Sequence, residues 1–205
     1  MISSDVLPGR WVVWDTETTG TNPGRDRLVS IAAVAIQGNE IVPEDSFECM
    51  VRIPFNSSAV VVHGITREET ERQGIEEAEA VQAFSDFIGD AWLVGHHVAF
   101  DVIVLNHARL RHGHAILPNP AVDVMELVLK LEEHQCIPPR QDPHDFGLDA
   151  LLEHFGMGKA GRHTAMGDSF LTAMIFLKLL NVCKGENLEL LKQSMQYDIG
   201  TGSTR

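Results

Sequence analysis

The chain has 205 residues, of which 44% are apolar and 22% charged, a composition that fits one globular domain and excludes wholesale disorder. Its net charge of −13 excludes a protein that coats nucleic acid through a broad basic face, but allows one that holds a phosphate chain through metal ions. Three widely spaced cysteines, the lack of a secretory signal and the lack of an apolar run of ~20 residues predict a cytoplasmic protein outside the membrane.

The first fifty residues carry the pattern of three antiparallel strands. After a lead-in at residues 1–9, four consecutive apolar residues within 10–14 predict a strand that is buried on both faces. A second apolar strand is predicted over 28–37 and ends in a hairpin turn. Apolar and polar residues then alternate over 47–53, which predicts a third strand.

Helices dominate after residue 60. Thr66 and Glu69 have the spacing of a capping box, which predicts a short acidic helix over 66–73. Apolar residues at helical spacing predict a second helix over 75–88, and a short buried strand follows at 91–94.

The second half of the chain adds helices, a loop and a tail. Three prolines predict an irregular loop over 134–147, and residues 184–205 are expected to form a tail with a mobile end. Four more helices are predicted, over 100–111, 123–133 with Asp123 as its cap, 148–155 and 165–182. This order of elements predicts an α/β fold, with a mixed five-stranded sheet of an antiparallel meander plus parallel strands, flanked by helices.

Two acids, Asp15 and Glu17, directly follow the first predicted strand. Residues two apart in an extended backbone point to the same side, so these carboxylates should project together. Two carboxylates held close repel each other, and a divalent cation removes that cost. A solvated strand end with two unrelated acids remains the alternative, because such tripeptides are common.

Two further segments offer acids near the starts of helices. Asp101 opens the helix that follows the strand at 91–94, where it could equally serve as a helix cap. His163 lies in the glycine-flanked lead-in to the last long helix, and Asp168 lies about one turn inside that helix among apolar neighbours. An ordinary histidine has a pKa near neutrality, which suits a group that takes a proton from water, although a lone histidine is more often structural.

Together these segments predict a two-metal site. Mg²⁺ and Mn²⁺ prefer carboxylate oxygens, and a pair of such ions ~4 Å apart can activate water and stabilise a leaving 3′ oxygen. The predicted site consists of four carboxylates and one imidazole, those of Asp15, Glu17, Asp101, Asp168 and His163.

These residues resemble the motifs of the DEDDh group of 3′–5′ exonucleases, which includes the epsilon proofreading subunit of bacterial DNA polymerase III and ribonuclease T. The D-x-E-T-T-G motif is present at residues 15–20, and a histidine followed by F-D is similar at 96–101. H-x-x-x-x-D matches at 163–168. The motifs occur in the family's order within residues 10–182.

The resemblance implies a ribonuclease H-like fold and an exonuclease domain over residues 10–183. It implies that Asp15, Glu17, Asp101 and Asp168 are catalytic and bind two Mg²⁺ or Mn²⁺ ions, and that His163 is the general base. It also implies substrate contacts from five residues, Thr16, Thr18, His63, His97 and Phe100.

Three other positions are interpreted beside that motif set. Residue 97 is histidine where relatives often have asparagine, and because both donate a hydrogen bond we expect a change in substrate positioning rather than in chemistry. Asp123 is expected to have a supporting role at most. Arg162 is a candidate phosphate partner, with an exposed surface arginine as the simpler interpretation. The loop over 134–147 could fold over the site.

The leading hypothesis is a 3′–5′ exonuclease that releases nucleoside 5′-monophosphates from DNA 3′ ends, with RNA open as a substrate. The alternatives are a non-catalytic nucleic-acid or partner-binding module on the same fold, an RNA-trimming exoribonuclease, and a metal-dependent phosphatase that acts on small nucleotides. A polymerase or other protein partner is compatible with the sequence, and no feature of the sequence decides the oligomeric state.

Overall fold

A computed structural model describes residues 8–55, 57–184 and 188–196. Within these residues the strands are β1 (Arg10–Thr18), β2 (Leu28–Gln37), β3 (Glu40–Met50), β4 (Trp92–Gly95), β5 (Ala121–Asp123) and β6 (Met195–Gln196). The helices are α1 (Val60–His63), α2 (Arg67–Gln73), α3 (Glu77–Ile88), α4 (Val98–Arg111), α5 (Val124–Glu133), α6 (Leu148–His154), α7 (Ala165–Cys183) and α8 (Leu188–Gln193).

The strands form one mixed sheet in the order β3-β2-β1-β4-β5-β6. The first three strands are an antiparallel meander, whereas β4 pairs in parallel with both β1 and β5. The predicted five-stranded mixed sheet is therefore confirmed. A sixth strand of two residues pairs antiparallel with β5 at the far edge.

Two of the predicted strands have different ends in the structure. β1 does not end at residue 14 but continues to Thr18, because its ladder with β2 extends through Asp15 and Glu17. β3 ends at Met50 and not at residue 53, since Val51 instead makes an isolated bridge with Ile75. That bridge also explains why α3 begins at Glu77, two residues later than predicted.

β1 is buried on both faces, as its apolar run predicted, and its side chains alternate between two separate cores. Trp11 and Val13 belong to the core formed with α5, α6 and α7, whereas Val12 and Trp14 belong to the core formed with α3 and α4. The ring of Trp11 packs edge-on against Phe176 of α7 at 5.0 Å. The period of two along β1 therefore determines which helix layer each later side chain of the strand faces.

Helix α7 is the longest helix of the described residues. By length and composition it could cross a membrane, but about half of it is buried inside the fold. It packs along β1 and β2, where the Ser169 hydroxyl donates a 3.0 Å hydrogen bond to the Ala32 carbonyl oxygen. A core helix passes the same test of length and composition, so this feature is weak evidence for a membrane span.

The remaining helix predictions agree with the structure to within a few residues. The capping box of α2 is present, with Thr66 accepting from the Glu69 backbone and Glu69 accepting from the Thr66 backbone. Asp123 caps α5 as predicted. The short elements α1 and α8 were not predicted. The predicted mobile end, residues 197–205, lies outside the described residues, and the boundary at residue 183 stays a prediction.

We expect Phe176→Ala to lower the free energy of unfolding by about 3–5 kcal/mol, because it leaves a cavity beside Trp11 in a fully buried position. Phe170→Ala on the same helix is the matched control, since Phe170 is 38% exposed and should lose less than about 1 kcal/mol. Urea unfolding of both variants measures the difference. Equal losses would show that α7 does not pack on β1 as described.

Candidate active site

Asp15 and Glu17 extend the face of β1 that begins with Trp11 and Val13, so both carboxylates project toward the α7 layer. Asp168 lies in the first turn of α7, which packs across this part of β1 and β2. Carboxylate oxygens of Asp15, Glu17 and Asp168 lie within 4.8 Å of one another. A group of this composition and spacing could hold a metal ion.

Asp101 reaches the same strand end from the opposite helix layer. It lies in the first turn of α4 and is only 4% exposed. Its Oδ1 accepts hydrogen bonds from Thr16 N at 3.1 Å and from Thr16 Oγ1 at 2.5 Å. Thr16 sits between Asp15 and Glu17, so these bonds fix Asp101 against the strand segment that carries the other two acids.

The electrostatic cost of this grouping is visible in the pKa values of the carboxyls. The pKa of Asp15 is raised well above its usual range by burial, and further by the charges of Asp101, Asp168 and Glu17. Burial and the charge of Asp168 raise the pKa of Glu17 to about 7. Burial also raises the pKa of Asp101 to about 7, although the hydrogen bonds from Thr16 oppose the shift. The acids are therefore poorly compensated when they are ionised together.

Arg162 provides part of the missing positive charge. Its Nη1 forms an ion pair with Asp168 Oδ2, and its Nε donates to Asp149 Oδ1 of α6 at 2.6 Å. The Arg162 side chain is only 15% exposed. The interpretation of Arg162 as an exposed surface residue is therefore wrong, because two carboxylates from different helices hold it at the site.

His163 lies next to this group of acids. Its backbone has a positive φ of 64°, and its N–H donates to Asp168 Oδ1 at 3.3 Å. Its side chain is exposed. The structure thus places His163 beside Asp168, with an imidazole that faces solvent.

A family model described as exonuclease (RNase T) matches residues 12–176, which is most of the chain and contains the acids, Arg162 and His163 described above. The chain belongs to the RNase T exonuclease family. The predicted resemblance is thereby confirmed at the level of the family.

Relatives and solved structures agree with this assignment. A DNA polymerase III subunit epsilon-like protein of Rhodobacter capsulatus is 35% identical over 183 residues, which cover 87% of this chain and 25% of that protein. A PolC-type DNA polymerase III of Pediococcus pentosaceus is 30% identical over 175 residues, which cover 83% of this chain and 11% of that protein. The chain thus spans a quarter or less of the length of these two relatives.

Structures of exonuclease I share the fold. One of them has a TM-score of 0.76 at 19% identity, covering 91% of this chain and 43% of that chain. A complex of Escherichia coli exonuclease I with a dA16 oligonucleotide has a TM-score of 0.73 at 20% identity, with coverage of 91% and 43%. The ribonuclease H-like fold class predicted from the motifs is confirmed.

The residues that the family resemblance predicts to contact substrate differ in their burial and in their hydrogen-bond partners. His63 is 8% exposed at the end of α1, its Nδ1 accepts from Ile65 N, and burial lowers its pKa, opposed by the Thr18 backbone. The Thr18 hydroxyl donates to the Gly20 carbonyl and holds the turn. The Thr16 hydroxyl donates a hydrogen bond to Asp101, and the Phe100 ring packs against the core formed with α3 and α4.

His97 joins the start of α4, the helix that carries Asp101, to the loop over 134–147. Its backbone is left-handed, with φ of 55°, a conformation in which asparagine and histidine are both enriched. His97 Nε2 lies 3.0 Å from the carbonyl oxygen of Phe146, at the end of the loop. The end of the loop therefore lies against the start of α4, the helix that carries Asp101, and Phe146 is exposed there.

Asp123 stabilises the start of the helix that carries Asp101. Besides capping α5, its Oδ2 accepts from Val98 N at 2.9 Å, which ties the start of α5 to the start of α4. Because Asp101 lies in that first turn of α4, Asp123 helps to fix the helix that carries Asp101.

Two contributors to the site were not predicted. Asp149 was not singled out, because its partner Arg162 is remote in sequence and an isolated acid in a helix has no signature. Gly167 was also missed. A Cβ there would lie 1.8 Å from the Gly161 carbonyl oxygen, so glycine is needed where the His163 segment crosses α7. The two glycines that flank His163 were the only available signal.

We expect the metal-free protein to lose stability as the pH rises. Glu17 and Asp101 have pKa values raised to about 7, so the folded state binds their protons more tightly than the unfolded chain. The stability that these two groups contribute is therefore fully present below about pH 4, and it is lost as the pH rises from there through about 7. The melting temperature in EDTA should fall by roughly 5 °C or more across this range.

The Glu17→Gln/Asp101→Asn double variant is the control for this prediction, because it removes both titrating groups while keeping their shapes. Its melting temperature should depend less on pH than that of the wild type, and excess Mg²⁺ should reduce the dependence in the wild type alone. If the melting temperatures of the two proteins depend on pH in the same way, the assignment of the raised pKa values is contradicted.

Proposed function

We propose that this chain is a metal-dependent 3′–5′ exonuclease that hydrolyses phosphodiester bonds at 3′ ends and releases nucleoside 5′-monophosphates. The observation that supports this most strongly is the meeting of Asp15, Glu17 and Asp168, with oxygens within 4.8 Å, beside the buried Asp101. Family membership supports the same reaction class.

The donor set fits hard divalent cations. All of the ligand atoms in the group are carboxylate oxygens, which suit Mg²⁺ or Mn²⁺. Their raised pKa values indicate that the ionised group lacks positive charge, and a cation would provide it. We propose two ions, held by Asp15, Glu17, Asp101 and Asp168. Such ions, when bound, supply the positive charge that activates water and stabilises the leaving 3′ oxygen.

The side chains around the acids then have separate tasks. His163 is exposed beside Asp168, where its imidazole can take the proton from the attacking water and pass it to solvent. Thr16 keeps the Asp101 carboxylate in one orientation through two hydrogen bonds. We propose that His63, which borders Thr18 at the end of β1, contacts the terminal nucleotide.

We infer single-stranded or frayed DNA as the first substrate to test, and RNA as the second. A structural neighbour, exonuclease I, is described in complex with DNA oligonucleotides, and several relatives are DNA polymerase III proteins. By the same inference, a polymerase is a candidate partner and the cytoplasm is the expected location. The domain is proposed to extend over residues 10–183.

We expect Asp15→Asn and Asp168→Asn each to remove nearly all hydrolysis while the fold is kept, because each variant replaces a charged oxygen ligand with a neutral amide. The measurement is nucleotide release from a 3′-labelled oligonucleotide with Mg²⁺. Asp90→Asn is the control, because Asp90 is exposed and lies outside the acidic group. Near wild-type hydrolysis by either site variant would refute the metal assignment.

His163→Ala should slow hydrolysis by roughly 10²-fold or more, because the attacking water loses its base, while Mn²⁺ still binds. Single-turnover kinetics and Mn²⁺ titration measure the two effects separately. His134→Ala, which removes an exposed histidine at the end of α5, is the control. Unchanged single-turnover kinetics in His163→Ala would exclude it as the base.

One set of digests separates the candidate functions. Matched DNA and RNA oligonucleotides, each 3′-labelled and 5′-labelled, are incubated with Mg²⁺ and with EDTA beside a mononucleotide. A 3′–5′ exonuclease releases the 3′ label first and shortens the 5′-labelled strand stepwise. A phosphatase acts on the mononucleotide alone, whereas a binding module leaves every substrate intact.

A further inference from the structure

Arg162 connects two helices through two carboxylates that have different relationships to the site. Asp168 is one of the three acids whose oxygens lie within 4.8 Å of one another, and its Oδ2 pairs with Arg162 Nη1. Asp149 of α6 is outside that group and accepts from Arg162 Nε at 2.6 Å. One guanidinium therefore joins the acidic group to a neighbouring element.

Both oxygens of the Asp168 carboxylate have a partner within the chain. Oδ2 pairs with Arg162, and Oδ1 accepts from His163 N at 3.3 Å. The Asp168 and Arg162 side chains are 14% and 15% exposed, so water screens their pairing less than it would at an open surface. A cation that binds at the acidic group must compete with the guanidinium for Asp168.

Asp149 gives Arg162 a second anchor that this competition does not remove. The Nε bond to Asp149 uses a different nitrogen from the pair with Asp168, and Lys159 adds a weaker contact to Asp149 at 3.9 Å. The guanidinium fork allows one carboxylate to be released while the other is retained.

We propose that Arg162 is a built-in counter-ion of the acidic group, which a divalent cation displaces from Asp168 while Asp149 retains it at the rim of the site. This inference rests on the proposed function, because it assumes that the acids bind such a cation. Arg162 is on this view a positioning residue that stabilises the metal-free site and weakens cation binding.

The test compares Arg162→Gln with Lys159→Gln, which removes the same charge three residues away without a contact to Asp168. Mn²⁺ is titrated by calorimetry in alkaline buffer, where the carboxyls are ionised, and melting is followed in EDTA. We expect Arg162→Gln to lower the Kd for Mn²⁺ by roughly threefold to tenfold and to melt earlier in EDTA. Lys159→Gln should match the wild type in both measurements.

An unchanged or weaker affinity for Mn²⁺ in Arg162→Gln overturns this inference and leaves the proposed function intact. Wild-type protein that binds no Mn²⁺ overturns both. If Arg162→Gln does not fold, Arg162→Lys gives the same test, because a single ammonium cannot pair with both carboxylates as the guanidinium fork does. It should still bind Mn²⁺ more tightly than the wild type, and equal affinity overturns the inference.

Discussion

Mutual repulsion among carboxylates that are buried or partly buried is the constraint around which this fold is arranged. Asp15 and Glu17 lie on a central strand whose residues 11–14 are almost completely buried, and Asp101 and Asp168 approach it from the two helix layers. Charges in such surroundings destabilise the folded state unless a compensating charge is present. The hydrogen bonds from Thr16 to Asp101 and the pairing of Arg162 with Asp168 supply only part of that compensation.

The two cores provide the free energy that keeps these charges together. Alternate residues of β1 anchor the strand in both helix layers, so its end cannot move away from either α4 or α7. Trp11 and Phe176 lock α7 against β1, and Ser169 bonds it to β2 one residue after Asp168. The packing thus fixes the carboxylate positions, and a cation would find its ligands already in place.

Much of this arrangement could be predicted from local patterns. The alternation in β1, the capping box of α2 and the Asp123 cap are short-range features, because each depends on residues a few positions apart. The motif order also predicted which acids would meet. The bridge between Val51 and Ile75, the pairing of Arg162 with Asp149, and the contact of His97 with Phe146 join segments that are distant in sequence. No periodic pattern in the sequence indicates pairs of this kind, because they form only when the chain folds.

A crystal structure of the protein grown with Mn²⁺ and measured at the manganese absorption edge would test directly whether these carboxylates hold metal ions. We expect anomalous density for two ions within coordination distance of Asp15, Glu17, Asp101 and Asp168. Absence of anomalous density between these four side chains at saturating Mn²⁺, or manganese bound only elsewhere on the surface, would contradict this expectation.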